Sequence, residues 1–211
     1  MSFQMLRRKS LIGVFFAFFV LFGGRANAGI EEGANAFLRS LADQAARSLT
    51  DADTPRPERI KRFRTMFRKN FAVRSIGKFV LGRNWRRASY EEREEYLVLF
   101  EDLMVVTYVD RFERYAGKSL RVKKTRVESE GIATVFSEIE RPGGVKPIRV
   151  DWRVGTNGAV YKLLDVIVEG ASMSNTLRSD FGSIVRREGN QIGGLLAALR
   201  EKTEALKVED N

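Results

Sequence analysis

A serine in a tight turn is the first residue of this chain whose type and setting could do chemistry. Ser172 follows Gly170 between an alternating apolar segment and a helical one, as a nucleophilic serine does in hydrolases. Such a serine needs a positioned base, usually histidine, and a glycine two residues further on. The chain contains no histidine, and Ser174 occupies that glycine position. We therefore expect Gly170 to allow the bend, and Ser172 or Ser174 to cap the next helix.

Carboxylates are the remaining candidates for catalysis, because the chain also lacks cysteine. Without histidine or cysteine, thiolate chemistry and nearly every zinc or transition-metal site are excluded. Asp165 and Glu169 lie four residues apart on one predicted strand, ~13 Å apart at ~3.3 Å per residue. This separation exceeds the ~5–9.5 Å used by carboxylate pairs in glycoside hydrolysis. The sequence therefore predicts a protein that is not an enzyme, with no catalytic residue, no metal and no cofactor.

The amino terminus has the layout of a secretory signal peptide. Arg7, Arg8 and Lys9 form a basic lead, residues 11–22 are apolar apart from Gly13, and residues 26–28 fit the small-x-small cleavage rule. The apolar run is shorter than the ~20 residues that span a bilayer, which argues against a membrane anchor. We expect cleavage after Ala28, leaving residues 29–211 as a single domain in the periplasm.

Charge limits the classes of partner. Removal of residues 1–28 takes four basic residues and no acidic one, so the net charge falls from +10 to +6. Export and the lack of a recognised motif argue against nucleic acid as a partner. A modest basic excess also suits an anionic lipid surface, so we expect transient contact with membranes.

Hydrophobic periodicity divides the remaining chain into helices, strands and helices again. A helical spacing of apolar residues predicts helices over residues 34–49, after Pro57 and over residues 73–81. A capping box at Ser89 begins the longest predicted helix, which extends to about Tyr115. Alternation with a period of two then predicts four strands joined by short turns, followed by helices over residues 174–188 and 192–206. The predicted fold is α+β, with helices covering a curved four-stranded antiparallel sheet and an apolar cavity permitted between them.

Two blocks of residues resemble the toluene-tolerance family of periplasmic phospholipid-binding proteins, also called the MlaC family. The first block comprises residues 81–86, Ser89, residues 91–93, Phe100, Thr107 and Tyr108. The second comprises Tyr161, Lys162, Asp165, Val166, residues 168–170, Ser172, Arg178 and Phe181. The resemblance extends from about Phe37 to Leu199.

The resemblance implies a monomeric carrier with a fold of the cystatin or nuclear-transport-factor type. Such a carrier holds a phospholipid by its acyl tails and exchanges it with an inner-membrane ABC transport complex and an outer-membrane donor or acceptor. Residues 178–181 and the glycine-rich residues 189–194 resemble the branch associated with hopanoid biosynthesis, which leaves a hopanoid-type lipid open as the ligand. A non-catalytic secreted scaffold, or a hopanoid-pathway accessory protein without a transport role, is the alternative.

The expected tail pocket is formed by the inward face of the sheet and the apolar face of the long helix. The predicted lipid-binding residues are Leu103, Thr107, Tyr108, Val135, Ile139, Val150, Trp152, Val154, Val166 and Val168. Each of these positions is also compatible with an ordinary core residue. Glu169 and Arg178 are candidates for an ion pair that fixes the turn.

Overall fold

The computed structural model describes residues 23–51, 53–115 and 118–208. Five helices come first: α1 (Gly23–Leu49), α2 (Arg56–Asn70), α3 (Val73–Leu81), α4 (Asn84–Arg87) and α5 (Tyr90–Tyr115). Five strands follow: β1 (Leu120–Ser129), β2 (Ile132–Ile139), β3 (Ile148–Thr156), β4 (Tyr161–Val168) and β5 (Ala171–Ser172). The described chain ends with α6 (Met173–Arg187) and α7 (Ile192–Val208). The predicted α+β order is confirmed.

The first helix is longer than its periodicity predicted, since it begins at Gly23 rather than near residue 34. Residues 1–22 of the predicted signal peptide lie outside the described residues, so cleavage after Ala28 stays a prediction. No helix in the described ranges combines the length and the apolar character needed to cross a membrane.

The predicted capping box at the start of α5 is confirmed. The Ser89 hydroxyl accepts a hydrogen bond from the Glu92 amide at 3.1 Å, and the Glu92 carboxylate accepts one from the Ser89 amide at 2.8 Å. The short helix α4 was not predicted, because four residues are too few to show a period. It buries Trp85, whose carbonyl accepts a hydrogen bond from Arg93 of α5 at 2.8 Å.

The strands form one antiparallel sheet in the order β1-β2-β3-β4-β5. The prediction of four strands is therefore corrected to five. The missed strand, β5, contains only two residues and cannot show an alternating pattern. Glu169 and Gly170, with φ of +50° and +87°, turn the chain back so that Ala171 pairs with Val168. Glycine at this position tolerates the left-handed conformation that the turn requires.

A bulge in β4 corrects the predicted inward face of that strand. Arg153 pairs with Asp165 and Val154 with Leu163, so Leu164 is an extra residue in β4. An extra residue reverses the facing of side chains on either side of it. Strict alternation along β4 would place Leu164 on the same face as Val166 and Leu163 on the opposite face, but Leu163 is fully buried.

Helices α1, α2, α3 and α6 pack against the sheet. The hydroxyl of Thr125 on β1 donates to the side-chain carbonyl of Asn35 on α1 at 2.7 Å. The Ala72 amide, between α2 and α3, donates to the Leu163 carbonyl at 2.9 Å. The long helix α5 packs against α1, α2 and α3, and α7 packs against α5. This arrangement encloses the apolar faces of the sheet and of α5 in one core.

Candidate functional site: an apolar cavity beside β4

An apolar cavity of about 40 Å³ lies between β4 and the helices α2, α3, α5 and α6. Its lining consists of Phe63, Phe67, Phe71, Ile76, Phe100, Met104, Tyr108, Asp165, Val166, Met173, Ser174 and Leu177. Ten of these twelve residues are hydrophobic or aromatic. The composition suits an apolar ligand with few points of polar contact.

One wall of the cavity is a row of phenylalanines on and just after α2. Phe63, Phe67 and Phe71 are spaced four residues apart, which places them on one side of the helix. Adjacent ring centroids are 6.2 Å and 4.5 Å apart along the row. The row forms a continuous aromatic surface opposite β4 and α5.

A second aromatic group fixes α3 and α6 against α5. The Phe181 ring meets the rings of Tyr96 and Phe100 edge-on, with centroids 6.2 Å and 6.4 Å away. The Tyr96 hydroxyl donates to the Gly77 carbonyl of α3 at 3.0 Å, and burial raises the pKa of this phenol. These contacts determine where the α3 and α6 walls stand relative to α5.

Asp165 organises the polar end of the cavity. Its carboxylate accepts hydrogen bonds from the Val166 amide at 2.9 Å, the Ser174 amide at 3.0 Å and the Ser172 hydroxyl at 2.5 Å. The Ser172 hydroxyl in turn accepts from the Asn175 amide at 3.1 Å. The prediction that Ser172 caps the last helices is confirmed for α6. Asp165 and Ser172 together join the end of β4 to the start of α6.

The predicted pair between Glu169 and Arg178 is wrong, since each side chain has another partner. The Glu169 carboxylate accepts from the Arg149 amide at 2.7 Å. The Arg178 guanidinium donates to the Phe79 carbonyl at 3.0 Å and lies 4.8 Å from the centroid of that ring. The two residues therefore secure opposite ends of the turn-and-helix segment, one on β3 and the other on α3.

Two of the predicted lipid-binding residues, Tyr108 and Val166, line the cavity. Tyr108 is partly buried, burial raises the pKa of its phenol, and the Arg111 guanidinium lies 5.4 Å from its ring centroid. The positive charge of Arg111 partly lowers this pKa, and the negative charge of Asp180 raises it. Tyr108 thus presents an apolar ring with a hydroxyl that stays protonated at neutral pH.

The other predicted lipid-binding residues lie outside that lining. Five are buried: Leu103, Val135, Val150, Trp152 and Val154. Thr107 and Ile139 are partly buried, and the Thr107 hydroxyl is enclosed without a hydrogen-bond partner in the described part of the chain. Val168 lies at the end of β4 and is 37% exposed. Their contact with lipid stays a prediction.

The phenylalanine row was not predicted as part of the site. The sequence does show Phe63 and Phe67 on one side of a helix, and Phe71 continues the same spacing. That spacing is equally typical of a core helix, so only the position of α2 over β4 distinguishes the two uses.

Comparisons with known proteins find relatives in sequence and in structure. The chain is 23% identical over 116 residues to the intermembrane phospholipid transport system binding protein MlaC of Haemophilus influenzae, a match that covers 54% of either chain. The chain thus spans about half the length of that relative. Among solved structures, a phospholipid-binding protein from Ralstonia solanacearum in complex with a phospholipid superimposes with a TM-score of 0.70 and 19% identity. That superposition covers 82% of this chain and 98% of the other.

The match to a family model is longer than the pairwise sequence alignment. The family model described as MlaC protein matches residues 39–201, which include every residue of the cavity lining. Because the match covers far more than half of the sequence, the chain belongs to the MlaC protein family.

Proposed function

We propose that this protein is a periplasmic carrier that holds a phospholipid by its acyl tails between β4 and the helices α2, α3, α5 and α6. The observation that carries the proposal is the apolar cavity at this position, with Asp165 and Ser174 as its polar residues. Membership of the MlaC family and the phospholipid complex of the structural relative support it.

The size of the cavity adds a requirement to this proposal. Ligand pockets generally measure ~300–1,000 Å³, whereas this cavity measures about 40 Å³. Acyl tails can therefore enter only as the walls beside β4 separate. Apolar side chains on both walls make this separation tolerable once the tails replace the contacts that are lost.

The predicted lipid-binding residues on β2 and β3 would lie next to the tails in this enlarged site. Val166 pairs with Trp152 across the strands, and Trp152 pairs with Val135 on β2. Tail atoms that enter beside Val166 reach these neighbours next. In this proposal Tyr108 and Val166 contact the lipid first, and Leu103, Thr107, Val135, Ile139, Val150, Trp152, Val154 and Val168 form or border the deeper space.

The compartment and the partners follow from the predicted signal peptide and from the family. After cleavage at Ala28, residues 29–211 would form a single lipid-binding domain that acts as a monomer, touches membranes transiently and exchanges lipid with an inner-membrane ABC transport complex and an outer-membrane donor or acceptor. The lack of histidine and cysteine supports a role that involves no catalysis.

The experiment is to express the full chain, purify the periplasmic protein without detergent and analyse it by native mass spectrometry with lipid extraction. We expect an amino terminus at Gly29 and one bound phospholipid per chain. A hopanoid in the extract would still support a lipid carrier, but it would identify a hopanoid rather than a phospholipid as the ligand. A lipid-free protein that takes up no lipid from vesicles would contradict the carrier and favour a scaffold.

A further inference from the structure

A second pocket adjoins Phe71, which also lines the apolar cavity. It measures about 280 Å³, is open to solvent and is lined by Arg68, Phe71, Ala72, Val73, Arg74, Ser75 and Lys162. Phe71 belongs to both linings, so the two spaces share a wall. We call this second space the basic pocket, because three of its seven lining residues are cationic.

The cationic groups of the basic pocket are incompletely neutralised. Arg68 pairs with Glu101 at 2.8 Å and Arg74 pairs with Glu94 at 2.9 Å, and neither glutamate lines the pocket. The Lys162 ammonium donates to the Arg68 carbonyl at 3.1 Å, and no carboxylate in the described residues forms an ion pair with it. The Lys162 ammonium therefore retains donors for an anion.

The basic pocket also adjoins the start of a helix. Helix α3 begins at Val73, and no side chain caps it, because the residue before it is Ala72. The first amides of a helix lack partners within the helix and carry the positive end of its dipole. Val73, Arg74 and Ser75 supply this first turn and also line the pocket. Cations and uncapped amides together suit a phosphate group.

We propose that the basic pocket binds the phosphate of the lipid head group while the tails occupy the apolar cavity that Phe71 also lines. The inference rests on the proposed function, since it needs the tails in that cavity. A phosphate joined to the tails by glycerol has to lie next to the tail site, and the shared wall at Phe71 meets this condition. The ion pairs of Arg68 and Arg74 also tie α2 and α3 to α5. Lys162 holds α2 only through its hydrogen bond to the Arg68 carbonyl, so it is the residue that tests the proposal.

The experiment is a competition between two lipids with identical tails. Protein purified free of lipid is incubated with vesicles that contain equal amounts of phosphatidylglycerol and diacylglycerol, then re-isolated, and both bound lipids are measured by mass spectrometry. We expect wild type to favour phosphatidylglycerol. Lys162→Met should reduce this preference about three- to tenfold, as expected for one charged hydrogen bond that is partly exposed. Lys146→Met is the matched control, because Lys146 precedes β3 and lies at the opposite end of the sheet from Lys162.

A second variant guards against an effect on folding. Ser75 is exposed in the first turn of α3, where an acidic residue favours the helix dipole. Ser75→Asp should therefore fold as well as wild type and still lose the preference for phosphatidylglycerol, since its carboxylate repels phosphate. Ser75→Asn, which has nearly the same shape without the charge, should keep most of the preference.

The outcomes separate this inference from the proposed function. Uptake of neither lipid would overturn both, whereas equal uptake of the two lipids by wild type would overturn only the head-group site. Titration of lipid-free protein with inorganic phosphate, followed by ³¹P NMR, distinguishes a site for free phosphate. Phosphate binding that Lys162→Met abolishes, without any preference between the lipids, would assign the pocket to free phosphate and contradict the head-group proposal.

Discussion

Trp152 and Val166 are partners across β3 and β4, yet they belong to differently packed regions. Around Trp152 the interior is closed: its indole donates to the Ser137 hydroxyl at 2.9 Å, and that hydroxyl donates to the Val150 carbonyl at 2.7 Å. Around Val166 the helices leave the apolar cavity. We call these the closed region and the cavity region. Similar apolar residues thus form both regions. Whether the packing is closed or leaves a cavity depends on which helix covers each strand.

The largest difference should come from removing a large side chain in the closed region. Trp152→Ala should cost about 3–5 kcal/mol of unfolding free energy, because it leaves a void and removes the hydrogen bond to Ser137. Leu177→Ala, on the wall of the cavity, should cost about 1–2 kcal/mol, since Leu177 is only partly buried beside existing space. Urea unfolding measures both. Equal losses would show that the two regions are packed alike.

Substitution of a small residue by a larger one should also have different effects in the closed region and the cavity region. Val150→Trp should destabilise the lipid-free fold by about 1–3 kcal/mol, because Val150 lies in a filled core until tails enter. Val166→Trp should cost less, because the cavity takes up part of the ring, and it should reduce the lipid that purifies with the protein. Thermal melting and lipid extraction are measured on the same preparations. A Val166→Trp protein with undiminished lipid would remove Val166 from the tail site.

A smaller effect is expected at the turn that closes the cavity region. Ser172→Ala removes the cap of α6 and a donor to Asp165, and should cost about 1 kcal/mol. Lipid content should not change, since the hydroxyl is used for structure. Ser179→Ala, at an exposed position of α6, is the control and should have no effect on stability. Loss of all lipid binding in a folded Ser172→Ala protein would give the hydroxyl a direct role.

The smallest effect concerns Asp151 on β3. One of its carboxylate oxygens is enclosed without a hydrogen-bond partner in the described chain, and burial raises its pKa above the ordinary 3.8. The folded state therefore holds this proton more tightly, so the contribution of Asp151 to stability falls as pH rises from 3.8 through the raised pKa. Asp151→Asn should be about 0.5 kcal/mol more stable than wild type at pH 7.

The pH dependence of that difference is the decisive measurement for Asp151. Below pH 3.8 the wild-type carboxyl is mostly protonated in both states, so most of the advantage of Asp151→Asn should disappear. Urea unfolding at pH 7 and pH 3.5 gives both values. Asp43→Asn, at an exposed position of α1, provides the control. An advantage that grew as pH fell would contradict a raised pKa.

The candidate site was predictable only in part. The apolar pattern predicts that Tyr108 and Val166 are inward residues of a long helix and a strand, and both line the cavity. The same pattern predicts Val135 and Val154, which are buried outside the cavity lining. The pattern of apolar residues identifies a side chain that avoids water and carries no information on whether a helix fills the space opposite.

Local chemistry allowed the sequence by itself to determine much of this protein. The apolar periods gave the order of helices and strands, the capping box at Ser89 and the cap at Ser172 depend on residues within a few positions, and the missing histidine excludes the usual base for a serine nucleophile. Only the tertiary structure decided the extra residue Leu164 in β4, the position of the phenylalanine row over that strand, and the meeting of Lys162 with the start of α3. These features depend on contacts between segments far apart in the chain, and their geometry is set by how the helices pack on the sheet.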